Sequence, residues 1–329
     1  MNDSVTQRDI AEHAGVSRAL VSMALSDSPK VAEETKAAIL QAADELGYVR
    51  NLSASSLVNQ VTPILGLILP DIANPYFESF FGQLQEESVS HDLLPLIATA
   101  SNDPERERLV LQRFLELRVA GVIAVSPAME GEGLRSFGER IPLVVVGQEV
   151  GGHVDSVAID EEKAATLLAN HFSSEGWVRA AYVYDDLAQS DRGLLSRREA
   201  LTAACEREGL SFTPIVARGG MRSSLDDYLD SSDQPTVLIG HNDLIATRIT
   251  AELRRDHSRS GVGVAGYDNT YLSREGNGDF TSISQPLATH AKQAIEFIES
   301  RSGRRYGSSR SVVAKPELIV RSSTIRHAK

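Results

Sequence analysis

The chain has little cysteine, few aromatic residues and no basic excess. A single cysteine, Cys205, in 329 residues excludes an intramolecular disulfide and fits a reducing compartment. It stands in the helical run ALTAACEREG, where a buried, inert thiol is expected rather than a nucleophile. The longest apolar runs, such as PILGLILP, fall far short of the roughly 20 residues that a membrane-spanning helix needs. The opening MNDSVTQRD has no basic segment leading into an apolar one, so no secretory signal is expected. Lys and Arg number 33 against 45 Asp and Glu, a net charge of -12. That balance argues against indiscriminate binding to nucleic acid or membrane, but not against a small specific DNA module on an acidic body. The eight histidines show no metal-ligand spacing, and His13 and His171 are expected to pack or cap within helices. No G-x-S-x-G elbow and no acid/base pair is marked out by spacing. What remains is a soluble, cytoplasmic chain without cofactor, long enough for about two domains and for a large core needing no disulfide or metal.

Two short helical patterns meet at Gly15 in TQRDIAEHAGVSRALVSMAL. Thr6 can cap the first, with Asp9 three residues on. Ile10, Ala11 and Ala14 give it an apolar stripe. Gly15 supplies a positive φ for the turn, Val16 packs it, and Ser17 can cap the second helix. Val21, Ala24 and Leu25 are spaced to face inward, leaving Arg18, Ala19, Ser22 and Met23 on the outer face. A third helix follows in SPKVAEETKAAILQAADELGY, with Ile39, Ala42, Ala43 and Leu46 as its stripe and Gly47 as its stop. A recognition helix presents such outward residues to the major groove.

This stretch resembles the N-terminal domain of the LacI/GalR (lactose repressor) family, whose pattern is roughly T-x-x-D-I-A-x-x-A-G-V-S-x-x-x-V-S-x-x-L. Thr6, Asp9, Ile10, Ala11, Ala14, Gly15, Val16, Ser17, Val21, Ser22 and Leu25 are in register, and Val31, Thr35, Ala43, Leu46, Tyr48 and Asn51 continue it. The resemblance puts Arg18, Ala19 and Met23 at base-reading positions. Arg18 could donate twice to a guanine edge, while Ala19 and Met23 can make only apolar contact. Ser17 and Ser22 suit phosphates. Thr6, Lys36, Arg50 and Asn51 complete the DNA-facing set of the head. Two departures stand out: Lys36 replaces the family's arginine, and YVRN replaces Tyr-x-Pro-Asn. Residues 1–60 carry five basic residues against eight acidic ones, a net -3. Non-specific affinity should therefore be weak, and contact must come from the placement of Arg18, Lys36 and Arg50. NLSASSLVNQ, residues 51–60, is a serine-rich linker too short to be a stable helix alone. The family's A-x-x-L here implies a short hinge helix whose leucine wedges into the minor groove. Ala54 and Leu57 match it, and Ser55 replaces the usual arginine.

Beyond residue 60, strand-length apolar runs (ILGLIL, LLPLIA, AGVIAV, PLVVV, AAYVY, TVLIG, GVGVAG) alternate with helical patterns near 75–90, 104–118, 161–175, 190–208, 242–255 and 287–301. That alternation predicts parallel α/β sheets in two similar subdomains, although no clean repeat is visible. The family resemblance continues. AIDEEKAATLLANHFSSEGW follows D-N-x-x-G-x-x-x-A-x-x-H-L-x-x-x-G-H, with Ala164 and Trp177 as replacements, and RREALTAACEREG follows R-x-x-G-[FY]-x-x-A-x-x-x-x-G, with Ala200 as one. It implies an all-α helix-turn-helix head plus an α/β body of two Rossmann-like lobes, as in periplasmic binding proteins. The expected division is a head over 1–50, a hinge over 51–60 and a body over 61–329. Within the body the N-lobe would take about 61–158 and 287–314, the C-lobe about 159–286 and 315–329.

Ligands of open α/β sheets bind beyond the carboxyl ends of the strands, where this chain has Asp71, Ser126, Gln148, Asp185 and Asp268. By the resemblance Arg197, Asn242 and Asp268 match ligand-contacting positions. Tyr76 and Phe77 could wall such a pocket or equally belong to the core. Met221 stands where the family often carries a stacking Trp or Phe; a thioether packs but cannot stack as a ring. GVGVAG fits G-x-G-x-x-G formally, but its glycines lie within a strand rather than at a strand-to-helix turn, so no dinucleotide site is expected. The expectation is a transcriptional regulator, most simply a repressor, that binds a pseudo-palindromic operator as a homodimer and answers to a small polar effector such as a sugar. A dimer is preferred to a tetramer because no heptad tail follows ELIVRSSTIR. A solute-binding protein shares the body fold but would want a signal peptide and no head; an enzyme would want a catalytic constellation.

Overall fold

The computed structural model describes residues 5–26, 28–49, 61–185, 192–218, 220–274, 278–301 and 307–326. The chain divides into two compact units, Met1–Thr62 and Pro63–Lys329. In the first, three helices follow one another: α1 (Gln7–His13), α2 (Arg18–Leu25) and α3 (Glu33–Glu45). The Thr6 amide and hydroxyl both donate to the Asp9 carboxylate, at 2.7 and 2.8 Å, which fixes the start of α1. Gly15 and Gly47 take φ of 67° and 66°, conformations costly for any residue with a Cβ. Ile10, Val21 and Ile39, all fully buried, meet at the centre of this unit with Ala24, Val31, Ala42 and Ala43 around them.

The second unit holds two six-stranded sheets. The N-lobe strands are β1 (Ile64–Leu69), β2 (Leu94–Thr99), β3 (Gly121–Val125), β4 (Leu143–Val146), β5 (Asp155–Ile159) and β11 (Ser311–Ala314), in the order β11-β5-β4-β3-β1-β2. Every pairing among them is parallel. The C-lobe strands are β6 (Arg179–Tyr184), β7 (Ser211–Val216), β8 (Thr236–Gly240), β9 (Gly263–Tyr267), β10 (Thr281–Ser284) and β12 (Glu317–Ile319), in the order β12-β10-β9-β8-β6-β7. Here only β12 is antiparallel, to β10. Counted within its own lobe, each sheet has the doubly wound order 2-1-3-4-5 with one late strand at the far edge. The repeat hidden in the sequence is thus plain in the topology.

Helices connect the strands: α4 (Pro75–Ser90), α5 (Pro104–Glu116) and α6 (Gly131–Gly138) in the N-lobe; α7 (Glu161–Ser174), α8 (Arg192–Arg207), α9 (Met221–Leu229) and α10 (Asp243–Arg254) in the C-lobe; and α11 (Leu287–Arg301), which returns to the N-lobe sheet. Central strands are buried along their length, as β3, β4, β6, β8 and β9 show, which explains their unbroken apolar runs. Two clusters flank each sheet: Phe80, Leu84 and Ile295 on one N-lobe face and Phe114, Val122 and Leu143 on the other, with Phe172, Leu201 and Tyr267 or Ile249, Leu238 and Phe280 in the C-lobe. Cys205 is fully buried in the first C-lobe cluster, and burial pushes its thiol up to about 12, as suits an inert core residue. Among the described residues no helix is long and apolar enough to cross a membrane.

Three connections join the lobes, after β5 at Asp160, after β10 at Gln285–Pro286 and after β11 at Lys315–Pro316. All three leave a parallel strand at its carboxyl end, and β12 begins opposite the carboxyl end of β10, Glu317 facing Ser284. The carboxyl edges of both sheets therefore adjoin one hinge.

Candidate functional site

In a 2-1-3-4-5 sheet the connections diverge between the first and third strands, leaving a crevice at their carboxyl ends. In the N-lobe that point lies between β1 and β3, and Asp71 and Ser126 stand just beyond them. In the C-lobe it lies between β6 and β8, followed by Asp185 and by His241 and Asn242. Gln148 and Asp268 follow the next strands, β4 and β9. The topology thus gathers all the strand-end residues singled out in the sequence onto two edges beside a common hinge.

The centre of the C-lobe edge is Arg197 of α8, only 7% exposed. Its Nε donates to both Glu161 oxygens at 3.2 and 3.3 Å, and its Nη2 to Glu161 Oε1 at 3.0 Å. Nη1 donates to the His241 carbonyl at 2.6 Å. The guanidinium carbon lies 3.5 Å from the centre of the Tyr267 ring, a stacked cation–π contact. The Tyr267 hydroxyl donates to Glu161 Oε2 at 2.7 Å. Burial first, and then the charge of Glu161, hold that phenol far above its ordinary range, so it remains a donor. Tyr182 Oη and His241 Nδ1 lie 2.7 Å apart beneath this pair.

Beside it, Asp268 occupies a non-glycine φ of 97°, a sparsely populated conformation of the kind that clusters at binding sites. Gln285 Nε2 donates to its carboxylate at 2.6 Å. Burial raises the Asp268 carboxyl above the usual range, against the pull of Arg197 and of the Gln285 bond. The strained loop is pinned from below by Asp243, which accepts from the Thr270 amide (2.6 Å), the Thr270 hydroxyl (2.9 Å) and the Ser282 hydroxyl (2.7 Å). Burial, then the charge of Asp268, pushes Asp243 up to about 7.

The N-lobe edge is built differently. Ser126 has a φ of 44°, and the loop after it is held by Glu107, a 2% exposed carboxylate that accepts from the Ala128 and Met129 amides at 2.8 and 2.7 Å. Gln148 Nε2 donates to the Pro127 carbonyl at 3.1 Å, and its Oε1 is buried without a partner. Asp71 turns its Oδ1 back onto the Ala73 and Asn74 amides, 2.7 and 3.2 Å away.

In the first unit Arg18, Ala19 and Ser22 are exposed on α2. The Ser17 oxygen accepts from the Leu20 amide at 3.2 Å, capping that helix. Lys36 is half-buried on α3. Arg50, Asn51, Ala54 and Leu57 lie outside the described residues.

A model of bacterial regulatory proteins, lacI family, matches residues 6–51, and a periplasmic binding protein-like domain matches 169–324. The chain is 26% identical to the HTH-type transcriptional regulator GalR of Salmonella typhimurium strain LT2, over 97% of this chain and 95% of GalR. It superposes on the lac repressor dimer bound to operator and an anti-inducer with a TM-score of 0.82, at 17% identity, covering 98% of this chain and all of that one. A complex of the regulator CelR with cellobiose gives a TM-score of 0.68 at 21% identity, over 97% and 99% of the two chains. The chain has the domain make-up of a LacI/GalR-family DNA-binding transcriptional regulator, a helix-turn-helix head followed by a two-lobed periplasmic-binding-protein-like body.

For a LacI/GalR regulator, several residues stand differently from the sequence expectation. Met23 is half-buried against the core of the head rather than free on the outer face, because its position turns it toward the other two helices. Tyr76 and Phe77, each 7% exposed, belong to the N-lobe core, with Tyr76 edge-on to Phe77 and stacked with Phe80. Met221 opens α9 and packs on the C-lobe core. Asn242 Oδ1 is spent capping α10, accepting from the Ile245 amide at 2.9 Å. Asp185 lies 3.8 Å from Arg248. Sequence reasoning did not find Glu161, Tyr267, His241 or Gln285. The only signal was that DEEK replaces the family's D-N-x-x, placing an acid where an amide is usual.

The G-x-G-x-x-G run is explained by packing. A Cβ on Gly263 would meet the Trp177 ring at 2.7 Å, and one on Gly266 would collide with Asp243 and Phe280. Among the described residues no group of acidic, histidine or cysteine side chains could hold a metal ion. A cavity of about 1140 Å³ opens at the opposite, amino-terminal end of the C-lobe strands, near Trp177, Arg254, Gly261 and Asp279. That end of a doubly wound sheet is not where its crevice forms.

Proposed function

We propose that this regulator is a repressor that binds a pseudo-palindromic operator as a homodimer and is controlled by a small polar effector, a sugar or related metabolite, held between the carboxyl edges of its lobes. The observation that carries the reading is the convergence on one hinge of both sheet edges, lined by Arg197, Asp268, Asn242, Gln148 and Ser126. A ligand touching both edges would bind one arrangement of the lobes better than another, and that difference is what shifts a two-state equilibrium. The cellobiose complex of CelR supports a carbohydrate class of ligand. On the DNA side, Arg18 reads a guanine edge, with Ala19 against a thymine methyl and Ser17 and Ser22 on phosphates; Thr6, Lys36, Arg50, Asn51 and a Leu57 wedge complete the contact. The homodimer is supported by an apolar edge: Leu94, Leu96 and Ile97 of β2 and Val89 of α4 are 62, 41, 36 and 78% exposed, apolar surface that a second copy would cover.

The test is selection of genomic fragments by the purified full chain at moderate salt, followed by challenge of the selected fragment with a panel of sugars. Enrichment of one pseudo-palindrome and its release by a panel member would establish the reading. Enrichment of sites without two-fold symmetry would overturn the dimer, and a bound fragment indifferent to every ligand would overturn effector control.

A further inference from the structure

We infer that Glu161 makes this effector site selective for uncharged, hydroxyl-bearing ligands and closes it to phosphorylated or carboxylated ones. The inference rests on the effector reading above and specifies the ligand. A buried guanidinium at the edge of a ligand cleft is by itself an anion receptor, because its fork of donors matches a carboxylate or phosphate. Here much of that fork is already engaged. Its Nε and Nη2 donate to Glu161, its Nη1 donates to the His241 carbonyl, and the flat face is covered by Tyr267. Glu161 is itself completed by the Tyr267 hydroxyl, and its side chain is only 12% exposed. The pair is closed and neutral, with little solvent to weaken it.

Buried acceptors stand beside this pair at the two edges. Asp268 is buried with one oxygen engaged by Gln285. Gln148 is fixed in orientation, because its Nε2 must face the Pro127 carbonyl, and this leaves its buried Oε1 without a donor. Asp71 adds a further carboxylate, one oxygen of which is turned onto the Ala73 and Asn74 amides. An anion entering here would meet like charge and a cation already occupied. A polyol would supply the hydroxyl donor that Gln148 Oε1 lacks and could donate to Asp268 as well, and an unmet buried acceptor is costly enough for such a donor to set specificity.

The test is calorimetric titration of the full chain with inorganic phosphate at fixed ionic strength. Wild type should show no saturable binding. Glu161→Gln, which keeps the amide oxygen for Tyr267 but removes the charge, should gain a saturable site, at least about tenfold tighter than any residual wild-type binding. The double variant Glu161→Gln with Arg197→Gln should lose it again. Saturable wild-type binding abolished by Arg197→Gln, or a folded Glu161→Gln protein with no gain, would overturn the inference. Should Glu161→Gln not fold, Glu161→Asp, which withdraws the charge by one methylene, should show a smaller gain, and no gain there would count equally against it. A phosphate site gained by Glu161→Gln but accompanied by indifference of operator binding to every ligand would leave the neutralisation standing and sink the effector reading instead.

Discussion

Arg197 shows how a single residue can be recognised and its state missed. The family pattern marks it, and burial at a strand edge marks it again, but nothing in a linear sequence pairs it with an acid 36 positions earlier. AIDEEK offers three acids in a row, and only the fold decides that Asp160 caps α7 while Glu161 turns to the guanidinium. The pairing has an energetic signature. Arg197→Ala leaves Glu161 buried and uncompensated, and should cost about 3–5 kcal/mol of body stability. Arg197→Met combined with Glu161→Gln removes both charges and should cost markedly less than Arg197→Met alone. Urea unfolding followed by Trp177, the one tryptophan of the chain, reads this directly; additive losses would show that the pair is not coupled. A second buried group gives a pH effect. His290, 1% exposed, lies against the Ala158 backbone, and burial outweighs that contact and lowers its pKa to about 4. The unfolded chain, with an ordinary imidazole, binds the proton first, so stability is held above about pH 6.5 and lost as pH falls toward 4. At pH 5 the loss from this group is about 2 kcal/mol relative to pH 7. Asp243 runs the other way, since a carboxyl raised to about 7 favours folding at low pH and loses that contribution as pH rises through 7. The clean measurement is therefore the difference between wild type and His290→Leu at pH 5 and 7. The variant should gain on wild type at the lower pH, and parallel curves would exclude His290 as a buried neutral group.

At the scale of elements, the legible parts were those with an internal period or an end signal. Helices α4, α5, α7, α10 and α11 fall within a few residues of the expected spans because each carries a long apolar stripe, and the first four start at an Asn or Asp cap. The short ones escaped. Helix α6 has Gly131 and Gly133 in its first turn, and α9 begins after Gly220 with no side-chain cap, so neither carries a start signal in its sequence. Strands β5, β7, β10, β11 and β12 were also missed. SFTPIV holds a proline and is half-exposed as an edge strand, and TSIS reads as a turn although Thr281, Ser282 and Ile283 are buried, because its hydroxyls are satisfied by the Arg321 carbonyl and Asp243. The site was legible as a set of strand ends, but its loops are held by side chains distant in sequence, such as Glu107 and Asp243. Edge strand β2 was read from its apolarity, but its exposure was not. A bare apolar edge invites pairing or aggregation, and a second copy is the proposed cover. Leu96→Lys should therefore shift the chain from dimer to monomer in sedimentation at micromolar concentration while its circular dichroism is unchanged. A variant that stays dimeric would place the interface elsewhere.

For the whole molecule, charge decides how regulation can work. The head is net acidic over residues 1–60 and the chain as a whole is at -12, so the protein gains little from DNA in general. Arg8, one of the few cations of the head, already faces Glu12 at 3.2 Å. If Arg18, Lys36 and Arg50 carry the phosphate and base contacts of each head, a dimer neutralises about six phosphates at most, and the logarithm of its operator affinity should fall with the logarithm of salt at a slope near -5. A strongly basic head would give a steeper dependence and would remain on random DNA after its operator was lost. Weak general binding has a consequence for control. The effector need only undo the specific part of the affinity, and a near-complete swing of the lobes takes about 5.5 kcal/mol of differential binding. Operator binding measured across a range of salt, with and without the releasing ligand, separates the two contributions. A ligand that disturbs the fit of the heads to the operator should lower the affinity at every salt and flatten the slope toward that of random DNA. A ligand that lowers the affinity while leaving the full slope would mean that all phosphate contacts survive, so that release acts through base reading or the Leu57 wedge alone. A slope of about -9 or steeper in its absence would mean that basic groups outside the head contact DNA.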